Sequence, residues 1–154
     1  VYDSHRHRVF ALGFYMTGNE LEAEEILTGT FVQVFRTEKV PQAEHVDAAL
    51  IEKLRQRFPL GEHEPAATVP REYMRTEDLS GQNVRRTDLE EAIQTLPATE
   101  RLLFLLRDVE GYSAAAISQL LQMPESQVQR SLFSARIRLR QTLAAATADR
   151  REAA

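Results

Sequence analysis

The chain has 154 residues, 43% of them hydrophobic and 27% charged, with no cysteine, no tryptophan and a net charge of −4. That length is one medium domain or two small ones; zero cysteines exclude disulfide frameworks, thiol nucleophiles, iron–sulfur clusters and cysteine zinc sites. Charges interrupt every apolar run well before the ~20 residues of a membrane-spanning helix, and the start lacks the order of a signal peptide, so a cytoplasmic protein with no membrane insertion is expected.

Apolar residues recur at helical spacing in several stretches, and none alternates with period two. Residues 2–16 carry Val9, Phe10, Leu12, Phe14 and Met16 and stop at the turn Thr17-Gly18-Asn19. Asn19, with Glu22 three residues on, caps a second helix whose apolar positions are Leu21, Ala23, Ile26, Leu27, Phe31, Val34 and Phe35. Pro41 fits the first turn of a third helix with Val46, Leu50, Ile51, Leu54 and Phe58, which Pro59 ends. These three helices make a first module, residues 1–58. Residues 59–86 are polar and broken by Pro59, Gly61, Pro65, Pro70 and Gly81, and their length reads as a flexible linker between modules.

The second module, residues 87–145, opens with a Thr87–Glu90 capping box ahead of Leu89, Ala92, Ile93 and Leu96. Pro97 starts the next helix, with Leu102, Leu103, Leu105, Leu106 and Val109 inward and Gly111 as its cap. Ser113 caps a short helix over 114–121 with Ile117, Leu120 and Leu121 inward, and Met123-Pro124 turns the chain into a last helix over 125–145, followed by a fraying tail, 146–154. A short helix, a tight turn and a longer helix is the helix-turn-helix layout, whose second helix enters the major groove. The expected fold is therefore all-α: two small helical domains joined by a linker, the C-terminal one a helix-turn-helix.

The charge is unevenly spread. Residues 1–40 hold 4 basic and 6 acidic side chains, 41–88 hold 7 and 9, and 89–154 hold 8 and 8. Within the neutral C-terminal part, residues 125–140 set Arg130, Arg136, Arg138 and Arg140 against Glu125 alone, interleaved with Gln127, Gln129, Ser131 and Ser134. Arg and Gln suit bidentate contacts to guanine and adenine edges, and Arg and Ser also serve phosphates. A basic surface helix has the same composition; the short helix and proline turn ahead of it favour DNA. At the other end, Glu20, Glu22, Glu24 and Glu25 crowd the start of the second helix, where they match the helix dipole and offer a docking surface to a basic partner.

The segment His5-Arg6-His7-Arg8-Val9-Phe10-Ala11-Leu12, with Thr17-Gly18-Asn19-Glu20-Leu21-Glu22 and Thr30-Phe31-Val32-Gln33-Val34-Phe35-Arg36, resembles region two of extracytoplasmic-function (ECF) sigma factors. Leu89-Glu90-Glu91-Ala92-Ile93, Leu96-Pro97, Arg107-Asp108-Val109-Glu110-Gly111-Tyr112-Ser113 and Ala135-Arg136-Ile137-Arg138-Leu139-Arg140 resemble region four of the same family. The resemblance implies a dissociable subunit of bacterial RNA polymerase, with core polymerase, promoter DNA and an anti-sigma factor as partners, and neither enzymatic activity nor cofactor nor metal. Carried over residue by residue, it assigns the upstream promoter element to Gln127, Gln129, Arg130, Ser131, Ser134, Arg136, Arg138 and Arg140. The downstream element falls to Arg36, Lys39, Lys53, Arg55 and Arg57, and polymerase docking to Glu24, Glu25 and Thr28. The chain departs from the family with Thr28-Gly29 in place of Gln-Glu, with a third helix that lacks the family's aromatic residue and dense basic run and carries Glu44, Asp47 and Glu52, and with Arg130 one position early in the recognition helix. These departures motivate a second reading, a sigma-like module that binds an anti-sigma factor or polymerase without reading promoters, and a third, a regulator using the helix-turn-helix alone. His5 and His7 form an H-x-H that a helix points to different sides.

Overall fold

A computed structural model describes residues 2–60 and 85–153; most of the expected linker, 61–84, lies outside the described residues. Among the described residues there is no strand, and seven α-helices run in chain order: α1 (Tyr2–Thr17), α2 (Glu20–Thr37), α3 (Ala43–Arg57), α4 (Arg86–Thr95), α5 (Ala98–Phe104), α6 (Ala114–Leu121) and α7 (Glu125–Ala153).

Local chemistry fixes most boundaries. Asn19 Oδ1 accepts the free N–H groups of Leu21 and Glu22, at 2.8 and 3.1 Å, and so starts α2. α3 begins after Pro41 rather than on it, because His45 Nδ1 turns back to accept the N–H of Gln42 at 3.0 Å. The first module runs past residue 58, since Leu60 is also buried. α4 starts earlier than the Thr87 box requires: Asp88 accepts the N–H of Arg85 at 3.0 Å, leaving Thr87 inside the first turn. Ser113 Oγ accepts the N–H of Ala116 at 3.0 Å and caps α6 as expected.

Two departures follow from hydrogen-bond register. α5 widens into a π-helical turn over Leu105–Val109, where the Glu110 N–H reaches the Leu105 carbonyl at 2.9 Å. The extra residue rotates Val109 outward, 58% exposed rather than buried. Gly111 then takes φ +84°, with open space where a Cβ would stand, and lets the chain turn back so that the Tyr112 N–H bonds the Leu106 carbonyl. The second departure is α7, which continues through 146–153 instead of fraying; at 1.5 Å per residue its length is about 43 Å.

Buried residues of both modules form one contiguous core, from Val9, Met16, Ile26 and Leu54 through Leu96, Leu102 and Leu106 to Ile117, Val128 and Leu139. Arg101 joins the modules by polar contacts. Its guanidinium donates to the carbonyls of Met16, Ile93, Gln94 and Leu96, and lies 6.0 Å from the Phe58 ring centroid. These carbonyls lie at the ends of α1 and α4, where the last turn leaves acceptors short of helical donors although Ile93 also accepts the Leu96 N–H at 3.2 Å, and a cation there complements the helix dipoles. Gln94 Nε2 donates to the Tyr15 carbonyl at 2.6 Å beside it.

Candidate nucleic-acid interface

The helix-turn-helix is built by α6, a turn and α7. Gln122 adopts φ 55°, in the left-handed region, and Ser118 closes the turn: its Oγ donates to the Met123 carbonyl at 2.5 Å while its own carbonyl accepts the Met123 N–H at 3.1 Å. Val128, Leu132, Ala135 and Leu139 face inward from α7. The outward row is Ser126, Gln129, Arg130, Phe133, Arg136 and Arg140, all exposed, with Gln127 half-buried at its edge. Phe133 was not among the residues singled out by sequence, yet it stands 49% exposed in the middle of this row. An aromatic ring there fits apolar contact with a thymine methyl, between donors suited to guanine and adenine edges. Its signal was available, since 126, 129, 133, 136 and 140 follow at three- and four-residue steps on the face opposite the apolar stripe.

Two assigned residues are corrected. Ser131 and Ser134 are 1% and 2% exposed, so neither hydroxyl reaches a base or phosphate. Ser131 belongs to the inward stripe at i+3 from Val128. Ser134 Oγ donates to Glu100 Oε1 at 2.9 Å, and Arg138 Nε lies 3.2 Å from Glu100 Oε2. Arg138 therefore serves the docking of α7 on α5 before any phosphate. Arg136 is also held: its Nε and Nη2 donate to the two oxygens of Asp108 at 2.9 and 2.7 Å. Those hydrogen bonds outweigh the cost of burial and raise its pKa. Arg130, Gln129 and Arg140 remain outward.

The first module distributes its candidates differently. Arg36 and Lys39 are exposed at the end of α2. Lys53 lies along α2, its Cε 3.3 Å from where a Gly29 Cβ would stand, and Gly29 leaves room for it. Arg55 Nη2 donates to the Leu121 carbonyl at 2.7 Å, across to α6. Arg57 pairs with Glu25 at 2.8 Å and with Glu22 at 3.6 Å. Glu24 and Thr28 are exposed beside Leu21, Val32 and Phe35, the last three 76%, 47% and 53% exposed. Sequence periodicity had placed Leu21 and Phe35 inward; instead they give α2 an outer face that mixes apolar and acidic side chains, with Phe31 stacked on Phe35 at 6.0 Å.

Between the modules, Tyr112 sits among Arg8, Asp47 and Glu110. Burial first, then the hydrogen bond to Asp47, pushes its phenol pKa upward. Burial likewise raises the Glu110 carboxyl, against the attraction of Arg8. For Arg8, burial acts downward but the hydrogen bond and charge of Asp47 outweigh it and the net shift is upward. Arg101 is lowered by burial.

Residues 86–139 match the sigma-70 region 4 family, a span that covers α4 to α7 as far as Leu139. The ECF RNA polymerase sigma factor SigE of Mycolicibacterium smegmatis is 27% identical over 151 residues, covering 91% of this chain and 59% of its own length. The chain is similar to an ECF sigma factor along most of its length, and to sigma-70 region 4 over residues 86–139. The chain thus spans about 59% of that curated relative. The fold agrees: the structure of the sigma factor RpoE in complex with the anti-sigma factor NepR from Bartonella quintana matches with a TM-score of 0.62 at 14% identity, covering 90% of this chain and 91% of that one. Among the described residues, no three His, Asp or Glu side chains converge as a metal site, and no helix is long and apolar enough to cross a membrane.

Proposed function

We propose that the chain acts as an ECF-type sigma factor in the cytoplasm, binding core RNA polymerase and directing it to promoter DNA. The observation that carries this reading is the outward row of α7, where Gln129, Arg130, Phe133, Arg136 and Arg140 stand on one face of a helix-turn-helix. In such a motif α7 enters the major groove, with its N-terminal residues against base edges. Gln129 and Arg130 would read bases, Phe133 a thymine methyl, and Arg140 a phosphate. The α2 face of Glu24, Thr28, Val32 and Phe35 is the proposed polymerase surface, where apolar area supplies affinity and the acids supply steering. Arg36 and Lys39 are the downstream candidates left outward. The RpoE structure was determined with an anti-sigma factor bound, which supports an anti-sigma partner here too.

A second reading, a sigma-like module that binds polymerase or an anti-sigma factor without reading promoters, is favoured by the commitment of Arg55 to α6 and Arg57 to α2. Run-off transcription with core polymerase on a pool of promoter fragments separates the two. The sigma reading expects promoter-dependent products that vanish in an Arg130→Ala, Arg136→Ala double variant. Stable core binding with no product at all would leave only the second reading.

A further inference from the structure

Asp47 stands on α3, and its partners lie on α1 and in the turn that leads into α6. Arg8 Nη2 of α1 pairs with Asp47 Oδ1 at 2.7 Å. Arg8 Nη1 donates to the Tyr112 hydroxyl at 2.7 Å, and that hydroxyl donates to Asp47 Oδ2 at 2.8 Å. The three groups close a triangle in which every bond supports the other two. Glu110 adds a further charge beside the triangle, and His5 Nδ1 stands 3.3 Å from Arg8 Nη2.

Position gives the triangle its consequence. Tyr112 lies between Gly111 and the Ser113 cap of α6, so the contact fixes the entry of the helix-turn-helix to the first module. Arg55 fixes the exit of α6 through the Leu121 carbonyl. α6 is thereby seated on α3 at both ends, and α3 carries Lys53, Arg55 and Arg57, which the resemblance assigned to downstream DNA. Apolar contacts between the modules are tolerant of sliding, whereas a closed polar triangle specifies one arrangement and leaves unpaired partners behind when any member is lost.

We propose that Arg8, Asp47 and Tyr112 form a latch that holds the helix-turn-helix module closed on the first module, and that its release lets the two modules reach separate DNA elements. The closure stands on the geometry alone; its consequence for DNA rests on the function proposed above. The acid on α3 then has a role that a basic residue could not fill.

The absence of cysteine from the sequence allows spin labels at Glu44→Cys on α3 and Gln119→Cys on α6 in the full chain, read by pulsed electron resonance without DNA or polymerase. The parent gives one narrow distance distribution. Tyr112→Phe, which removes one oxygen, and Asp47→Ala each shift it toward long distances, the separated-to-closed ratio rising roughly tenfold, with helicity unchanged. Glu52→Ala removes an α3 acid outside the triangle and leaves the parent distribution. Distributions for Tyr112→Phe and Asp47→Ala that superimpose on the parent, or an equal shift from Glu52→Ala, overturn the latch. A duplex-binding arm keeps the two proposals apart: a distance shift with no DNA binding by any variant sinks the promoter reading and leaves the latch standing.

Discussion

Glu100 of α5 and Arg138 of α7 form an ion pair, 3.2 Å from Nε to Oε2, in which the carboxylate is 2% exposed while the guanidinium side chain is 42% exposed. The pair is thus asymmetric: one charge has lost its water and the other has kept part of it. Removing the half-solvated partner leaves a buried carboxylate with only the Ser134 hydroxyl. Arg138→Ala is therefore expected to destabilise the fold by about 2 kcal/mol, below the usual loss for a fully buried pair. A Glu100→Gln, Arg138→Ala double variant recovers much of that, because no charge remains to be desolvated. Urea unfolding of the four chains of this cycle checks it; a double variant as weak as Arg138→Ala would show that the loss is one of packing.

Gly29 leads to the opposite sign. A glycine inside α2 costs about 1 kcal/mol relative to alanine, and the atom a new Cβ would meet is Lys53 Cε at 3.3 Å, the far end of a flexible side chain. Lys53 can swing away. Gly29→Ala is expected to raise the stability by roughly 0.5–1 kcal/mol, seen as a higher urea midpoint with unchanged slope. A lower midpoint would mean that Lys53 is held in place by more than its contact with α2.

The parts of this molecule that were legible in the sequence are those set by neighbours a few residues apart. The Asn19 and Ser113 caps, the bounds of α6 and the inward stripe of α7 all follow from i to i+4 chemistry. Ser131 belonged to that stripe as well, at three residues from Val128, and its assignment to DNA rested on composition and the family pattern rather than on that spacing. Val109 was not legible, because the π-helical turn is a one-residue slip in hydrogen bonding that composition does not mark. Nor were the contacts of Asp47 with Tyr112, Arg55 with Leu121 and Arg101 with Met16, which depend on how two separately patterned modules meet. The acidity of the third helix was visible from the start; only the position of Tyr112 gives Asp47 a reason.

The outward row of α7 separates stability from recognition. Phe133, Arg130 and Arg140 are exposed and make little of the core, so alanine at each leaves unfolding within ±0.5 kcal/mol of the parent. Their DNA effects differ in kind. Against duplexes selected from a randomised pool by the parent, Arg130→Ala loses about 1–3 kcal/mol and relaxes choice at one base pair. Arg140→Ala weakens all sequences alike and lowers the salt slope by about 1. Phe133→Ala loses preference for thymine at one position while keeping the salt slope. Binding titrations at several salt concentrations distinguish them, and a uniform loss for Arg130→Ala would move that residue from bases to phosphate.

Alkaline pH tests the surroundings of Tyr112. Its phenol is raised above the ordinary value of 10.0, chiefly by burial and then by the bond donated to Asp47. A group whose folded pKa lies above its unfolded one contributes stability that is complete below the unfolded value and is lost as pH rises through the folded one. The loss here begins at about pH 10, because the unfolded chain then releases a proton that the folded chain retains. Urea unfolding at pH 8 and at pH 10.5 should therefore show a fall in stability in the parent that is smaller in Tyr112→Phe. Because the phenol is only partly buried, the difference between the two chains is expected to be about 0.5 kcal/mol rather than the full value of the shift. An equal fall in both chains would mean that the Tyr112 hydroxyl is open to solvent and that Asp47 and Arg8 do not hold it.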